Sequence, residues 1–174
     1  MKIIKSLFLL ALAFTVLSCS EDEKPSFDET LLPGEWELST LDYSGTTTTS
    51  YSVLSIEADF VGTLVESDLL VNFTAEPNEF VSSGSYLIEL ETTVAGQSTT
   101  TTQEFPNILL PGTWRIEHDK LIVENEIAGE QETTIKRLDD SSLIITVKLT
   151  ETYSQSGAEI TTVVNGVYSL TRMQ

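Results

Sequence analysis

The chain has one cysteine, one histidine and nine basic residues among 174, and its one long apolar stretch stops at Leu17. Each scarcity removes a class of protein. A lone cysteine cannot form an internal disulfide, so a core must hold the fold. One histidine cannot supply the several Cys or His ligands of a zinc site. That residue, His118, sits in "HDK" between two alternating stretches, where a solvated hairpin turn is expected rather than the base of a Ser-His-Asp set. Gly-x-Ser-x-Gly, His-Glu-x-x-His and a phosphate-cradling glycine loop are all missing. So is the Asp-x-Asp-x-Asp loop of tight calcium sites. Basic residues are few against 27 acidic ones, giving a net charge of −18. Nucleic acid would be repelled by that charge, and an electrostatic grip on anionic lipid is excluded. The imbalance is also local: no Lys or Arg lies between Pro25 and Trp114, where 14 acidic residues fall.

At the amino terminus, Lys2 and Lys5 precede "LFLLALAFTVL" (Leu7–Leu17), eleven residues that are apolar except for Thr15. A spanning helix takes about 20 apolar residues, so this run fits the core of an export signal. The cysteine closes that run in "TVLSC", with small Ser18 before Cys19. The arrangement resembles the bacterial lipobox, which implies cleavage before Cys19 and acylation of its thiol and new amino terminus. Residues 1–18 are then a lipoprotein signal peptide, and loss of Lys2 and Lys5 leaves seven basic against 27 acidic residues, net −20. Residues 19–30, "CSEDEKPSFDET", read as a flexible acidic tether. An acidic cluster directly after the cysteine resembles the signal that sends some Bacteroidota lipoproteins to the outer face of the outer membrane.

From about Gly34 onward the pattern has period two, as strands require. Leu143, Ile145, Val147 and Leu149 share one face against Ile144, Thr146 and Lys148. Leu121, Val123 and Ile127 oppose Glu124 and Glu126; Tyr86, Ile88 and Leu90 oppose Glu89 and Glu91. Ile160, Thr162, Val164, Tyr168 and Leu170 form another such face. Turn signals recur every eight to fifteen residues, and no helical stripe follows the signal. The expectation is one all-β domain over 31–174, an antiparallel up-and-down barrel of eight to ten strands. The threonine runs Thr46–Thr49 and Thr99–Thr102 are expected at hairpin tips or in long loops.

"LLPGEW" at Leu31–Trp36 returns as "LLPGTW" at Leu109–Trp114, but the likeness stops at the tryptophan. Too few residues follow the second copy to build another barrel, so one way of starting a strand is used twice. A Gly34-Glu35-Trp36 opening in an exported all-β chain resembles the lipocalin-like lipoproteins of Bacteroidota. "GTWRIEHDKLIVE" and "TIKRLDDSSLIITV" resemble successive hairpins of that group. The resemblance implies that Trp36 packs across the closed end of a barrel. The sequence has no second lipocalin motif around a Thr-Asp-Tyr and points to no arginine that would stack on Trp36.

Carboxylate pairs at Glu35/Glu37, Glu57/Asp59, Glu89/Glu91 and Glu124/Glu126 alternate with apolar neighbours. Glycosidases need two carboxyls converging on a sugar, whereas this pattern describes a solvated face. The aromatic residues fall mostly on apolar faces and are expected in the core; Tyr43 and Tyr51, flanking "SGTTTTS", are candidates for contact with a ligand or glycan. The expected protein is non-enzymatic, without cofactor, catalytic residue or metal ligand, and held to the outer membrane by lipid on Cys19. It binds a small apolar or amphipathic ligand if its barrel has a lumen. The alternative is a surface interaction or carbohydrate-binding module with a filled core.

Overall fold

A computed structural model describes residues 27–106, 110–127 and 129–174. The signal residues 1–18, Cys19 and the tether up to residue 26 lie outside the described residues. After one turn of 3-10 helix at Glu29–Leu31, eleven antiparallel strands follow. They are β1 Gly34–Tyr51, β2 Leu54–Ser67, β3 Leu70–Thr74, β4 Glu79–Ser83, β5 Ser85–Val94 and β6 Gln97–Pro106. The remainder are β7 Gly112–Glu117, β8 Lys120–Asn125, β9 Gly129–Leu138, β10 Ser142–Gln155 and β11 Ala158–Arg172. The expected all-β barrel is therefore present, with more strands than a simple meander.

β1 decides the architecture. One edge pairs with β11 along its length, from Trp36 opposite Arg172 to Ser50 opposite Glu159. The other edge is divided: Gly34–Glu37 pairs with β3, and Asp42–Tyr51 pairs with β2. The β3–β4 hairpin then reaches β7 through Glu79–Thr113 and Phe80–Gly112. This closes an eight-stranded ring, β1-β3-β4-β7-β8-β9-β10-β11. β2, β5 and β6 branch away from it. β10 pairs with β9 only from Leu143 to Thr146 although it runs on to Gln155. A wall of β6-β5-β2-β1-β11-β10 thus stands beyond the rim formed by the other strands. Register shifts at Leu38/Thr40, Leu64/Glu66 and Ile144/Ile145 supply the local bends that closing a sheet needs.

The ring's core gathers at the end where β1 begins. Leu32, Trp36, Val71, Phe80, Ile135 and Leu143 are all almost fully buried there. Phe27 packs against this core and Asp28 caps the 3-10 turn through Thr30, so the ordered domain takes in residues 27–30 that the sequence reading assigns to the tether. The two Gly-x-Trp openings do the same job at different places. Trp36 donates from its indole to the Leu32 carbonyl at 2.8 Å, and Trp114 to the Thr74 carbonyl at 2.9 Å. Their glycines are needed for separate reasons: Gly34 holds φ +136°, while a side chain on Gly112 would collide with the Glu124 carbonyl.

Three expectations are corrected. The threonine runs are not loops: Thr46–Thr49 lies inside the 18-residue β1, and Thr99–Thr102 inside β6. Threonine is β-branched and suits a pleated sheet, and its hydroxyls bond to neighbouring strands on both faces, Thr46 to Asp59 outside and Thr47 to Thr162 inside. Ile127 is not on the buried face of β8, because that strand ends at Asn125 and Ile127 is a turn residue 83% exposed. An arginine does stack on Trp36. The Arg172 guanidinium lies 4.2 Å from its ring centroid and donates to the carbonyls of Asp140, Pro33 and Leu31.

Candidate functional site

Pairing fixes which side chains look inward. Leu143, Ile145, Val147, Leu149, Glu151 and Tyr153 of β10 stand opposite Leu170, Tyr168, Gly166, Val164, Thr162 and Ile160 of β11. Burial falls steadily along that row, from Leu143 at 1% exposed to Leu149 at 45%. The inside of the barrel is solid at one end and hollow toward the other. The hollow is a cavity of about 550 Å³, lined by Val123, Thr133, Ile145, Val147, Leu149 and Tyr168, with Gln131, Glu132 and Lys148 at its border. It opens where β10 rises past the end of its pairing with β9.

Tyrosines mark the boundary between filled and hollow. Tyr43 is stacked on Phe60 at 5.2 Å and Tyr86 on Phe105 at 5.4 Å. Burial pushes the phenols of Tyr43, Tyr86 and Tyr168 above their ordinary ionisation. Neighbouring groups add to it: Glu151 for Tyr43, Tyr43 for Tyr168, and both other tyrosines for Tyr86. All three phenols stay protonated at neutral pH. Room for the rings comes from glycines on the same inner face. The Tyr43 ring lies over Gly62, Phe60 over Gly45, and Tyr168 over Gly166. A methyl group at Gly45 would sit 2.1 Å from the Val163 carbonyl and 2.3 Å from Phe60.

The outside is mainly polar, with Val61, Val81 and Val167 as exposed apolar exceptions. Asp42, Thr46, Thr48, Glu57, Asp59, Glu89, Glu91, Lys148, Thr150 and Thr152 all occupy the outward phase of their strands. A barrel that spans a bilayer carries an apolar band about 25 Å tall on this face; here the apolar face is the inner one. A broader hollow of about 690 Å³ crosses the outer surface of β2-β1-β11-β10-β9-β8. Its row of Thr63, Asp42, Val167, Thr146, Thr134 and Lys120 is mixed in character, and Lys120 is already engaged by the Thr134 hydroxyl at 2.6 Å. The inner cavity is the better candidate because it joins apolar walls to a few converging polar groups.

Cys19 lies outside the described residues. His118 sits exposed in the β7–β8 turn at φ +57°. The carboxylate pairs lie on outward phases, with Glu126 in the β8–β9 turn, and among the described residues no three His, Cys, Asp or Glu side chains gather as a metal site. Tyr43 and Tyr51 do not flank a loop; both point inward from β1, Tyr43 half-buried and Tyr51 58% exposed. Two residues were missed. Arg172 comes to Trp36 from the opposite end of the chain through β1–β11 pairing. Glu151 faces inward, a placement its phase with Leu149 and Tyr153 would have indicated.

No protein-family model and no curated protein matches the chain. Among solved structures it is similar to Ail, the attachment invasion locus protein of Yersinia pestis, at 10% identity and a TM-score of 0.24. That match covers 79% of this chain and 99% of the other. So loose a superposition carries no argument, and the barrel rests on its own strand pairing.

Proposed function

We propose that the protein is an outer-membrane lipoprotein, anchored by lipid on Cys19, whose lipocalin-like barrel binds a small apolar or amphipathic ligand without catalysis. The observation that carries this reading is the apolar cavity of about 550 Å³ at the open end of the barrel, within the roughly 300–1,000 Å³ of small-molecule sites. Arg172 stacked on Trp36 supports the lipocalin-like part of the reading, since it supplies the partner that the sequence did not reveal. The polar exterior supports a barrel held at a membrane by an anchor instead of one inserted in it. Acyl chains contribute about 0.8 kcal/mol per buried CH₂, and more than one chain makes a stable anchor.

The test is organic extraction of the purified full chain followed by mass spectrometry, with thermal shifts for added apolar probes. A stoichiometric small molecule, or clear stabilisation by probes, is expected. A clean protein that no apolar probe stabilises would refute ligand carriage. A second reading has its own observation: Tyr51 and Tyr153 present rings on the wall at 58% and 51% exposure, as sugar stacking requires. Stabilisation by glycans alone would favour that surface module.

A further inference from the structure

Strand register assigns every inward position above the tyrosines, and those positions are nearly free of charge. On β1 and β2 they are Thr47, Thr49, Leu54, Ile56 and Ala58 beside Tyr51; on β5 they are Leu90, Thr92 and Val94. β6 presents Thr99, Thr101 and Gln103, and β9 presents Gln131 and Thr133. β11 contributes Ile160, Thr162 and Val164. The one ionisable exception among these described strand positions, apart from tyrosine, is Glu151, between Leu149 and Tyr153 on β10. Its partner Thr162 bonds Thr47 across the same inner face at 3.1 Å, which fixes the side of the sheet. Basic residues near this end, Lys120 and Lys148, belong to the outward phase.

We propose that the ligand is an amphipathic cation, its apolar part in the cavity against Val123, Ile145, Val147 and Leu149 and its positive head at Glu151, the next inward position of β10 beyond Leu149. This rests on the carrier reading and narrows it. Glu151 stands one inward position beyond the cavity-lining Leu149, where its carboxylate attracts an ammonium and repels a fatty-acid head. Among the described strand positions no Lys or Arg occupies the inward phase of the wall; Lys148 borders the cavity from the outward phase of β10.

The test compares dodecyltrimethylammonium, dodecanol and dodecanoate, which share a tail and differ in head charge, by titration calorimetry on the purified full chain below micellar concentrations. The ammonium is expected to bind about tenfold more tightly than the alcohol, the scale of one charge-assisted contact, with the carboxylate weakest. Glu151→Gln should bring the ammonium to the alcohol's affinity and leave the alcohol unchanged, which also shows the cavity intact. Glu159→Gln removes the same charge from the outward phase of β11 and should leave the preference in place. Equal binding of all three, tighter binding of the carboxylate, or equal effects of the two variants would overturn the cation proposal while the carrier reading stands. Failure of every probe to bind would remove the carrier reading itself.

Discussion

At the end of the barrel where β1 begins, Leu32, Trp36, Phe73, Phe80 and Trp114 are between 0% and 5% exposed. On the inner face of the wall at the other end, Tyr51, Leu54, Ile56 and Tyr153 are 51% to 69% exposed. Both regions alternate apolar-in and polar-out, and β1 runs through both. What differs is how many strands meet. At the closed end the β3–β4 hairpin bridges β1 to β7 and completes the ring. In the wall, β6 and the upper half of β10 have no further partner strand among those described. Burial yields about 25 cal/mol per Å² only where apolar area leaves water, so stability concentrates at the closed end. The open end keeps apolar surface available, the usual division between scaffold and binding region.

Substitutions at the closed end should cost most. Trp36→Ala removes the largest fully buried side chain and is expected to lower unfolding free energy by about 3–5 kcal/mol, read from urea denaturation. A loss below about 1 kcal/mol would mean the core is not seated there. Arg172→Met is next, at about 2–3 kcal/mol, because it removes the ring contact and leaves the carbonyls of Asp140, Pro33 and Leu31 without their donor. Arg172→Lys keeps the charge and loses the planar fork, so it should recover only a minor part. If lysine restores full stability, charge alone was at work.

The same division explains what could be read before folding. Leu143–Leu149 and Tyr86–Leu90 showed their faces because apolar and polar residues contrast at every step. Thr46–Thr49 and Thr99–Thr102 offer no such contrast, so in sequence these runs read as hairpin tips or long loops although they lie inside strands. Ile127 kept the phase of β8, but phase does not say where a strand stops. The Arg172–Trp36 contact exists only once the first and last strands pair. Above all, alternation says which side chains face inward and is silent on whether other strands cover them. Leu143 and Leu149 belong to one pattern, yet one is core and the other lines a cavity.

Changes of pH should separate the two regions further. The Asp139 carboxyl, in the β9–β10 turn beside Arg172's partner Asp140, is held well below the usual carboxylate range. The Ser141 backbone N–H is the main cause, and the Arg137 guanidinium adds to it. A depressed folded value means its contribution is present above the unfolded value near pH 3.9 and is lost as pH falls lower. Asp139→Asn should remove that contribution, so the two melting curves differ above about pH 4 and converge in stronger acid. The interior tyrosines act oppositely. Burial raises Tyr86, so its contribution is whole below about pH 10 and is lost as pH climbs above it. Tyr86→Phe should flatten that alkaline loss.

The smallest effect is expected where the apolar wall is bare. Leu54 and Ile56 face inward opposite Tyr51 and Thr49 and are 69% and 60% exposed. Replacing each by serine removes little area from a buried state, so each should change stability by less than about 0.5 kcal/mol. That contrasts with Trp36→Ala by close to an order of magnitude, within one barrel and one alternation pattern. A loss of more than about 1 kcal/mol would mean that something covers this face in solution. Repeating the melt over a range of protein concentrations would then identify a second copy, since only association makes the midpoint depend on concentration. A small effect that does not vary with concentration would leave the wall as an open approach to the cavity.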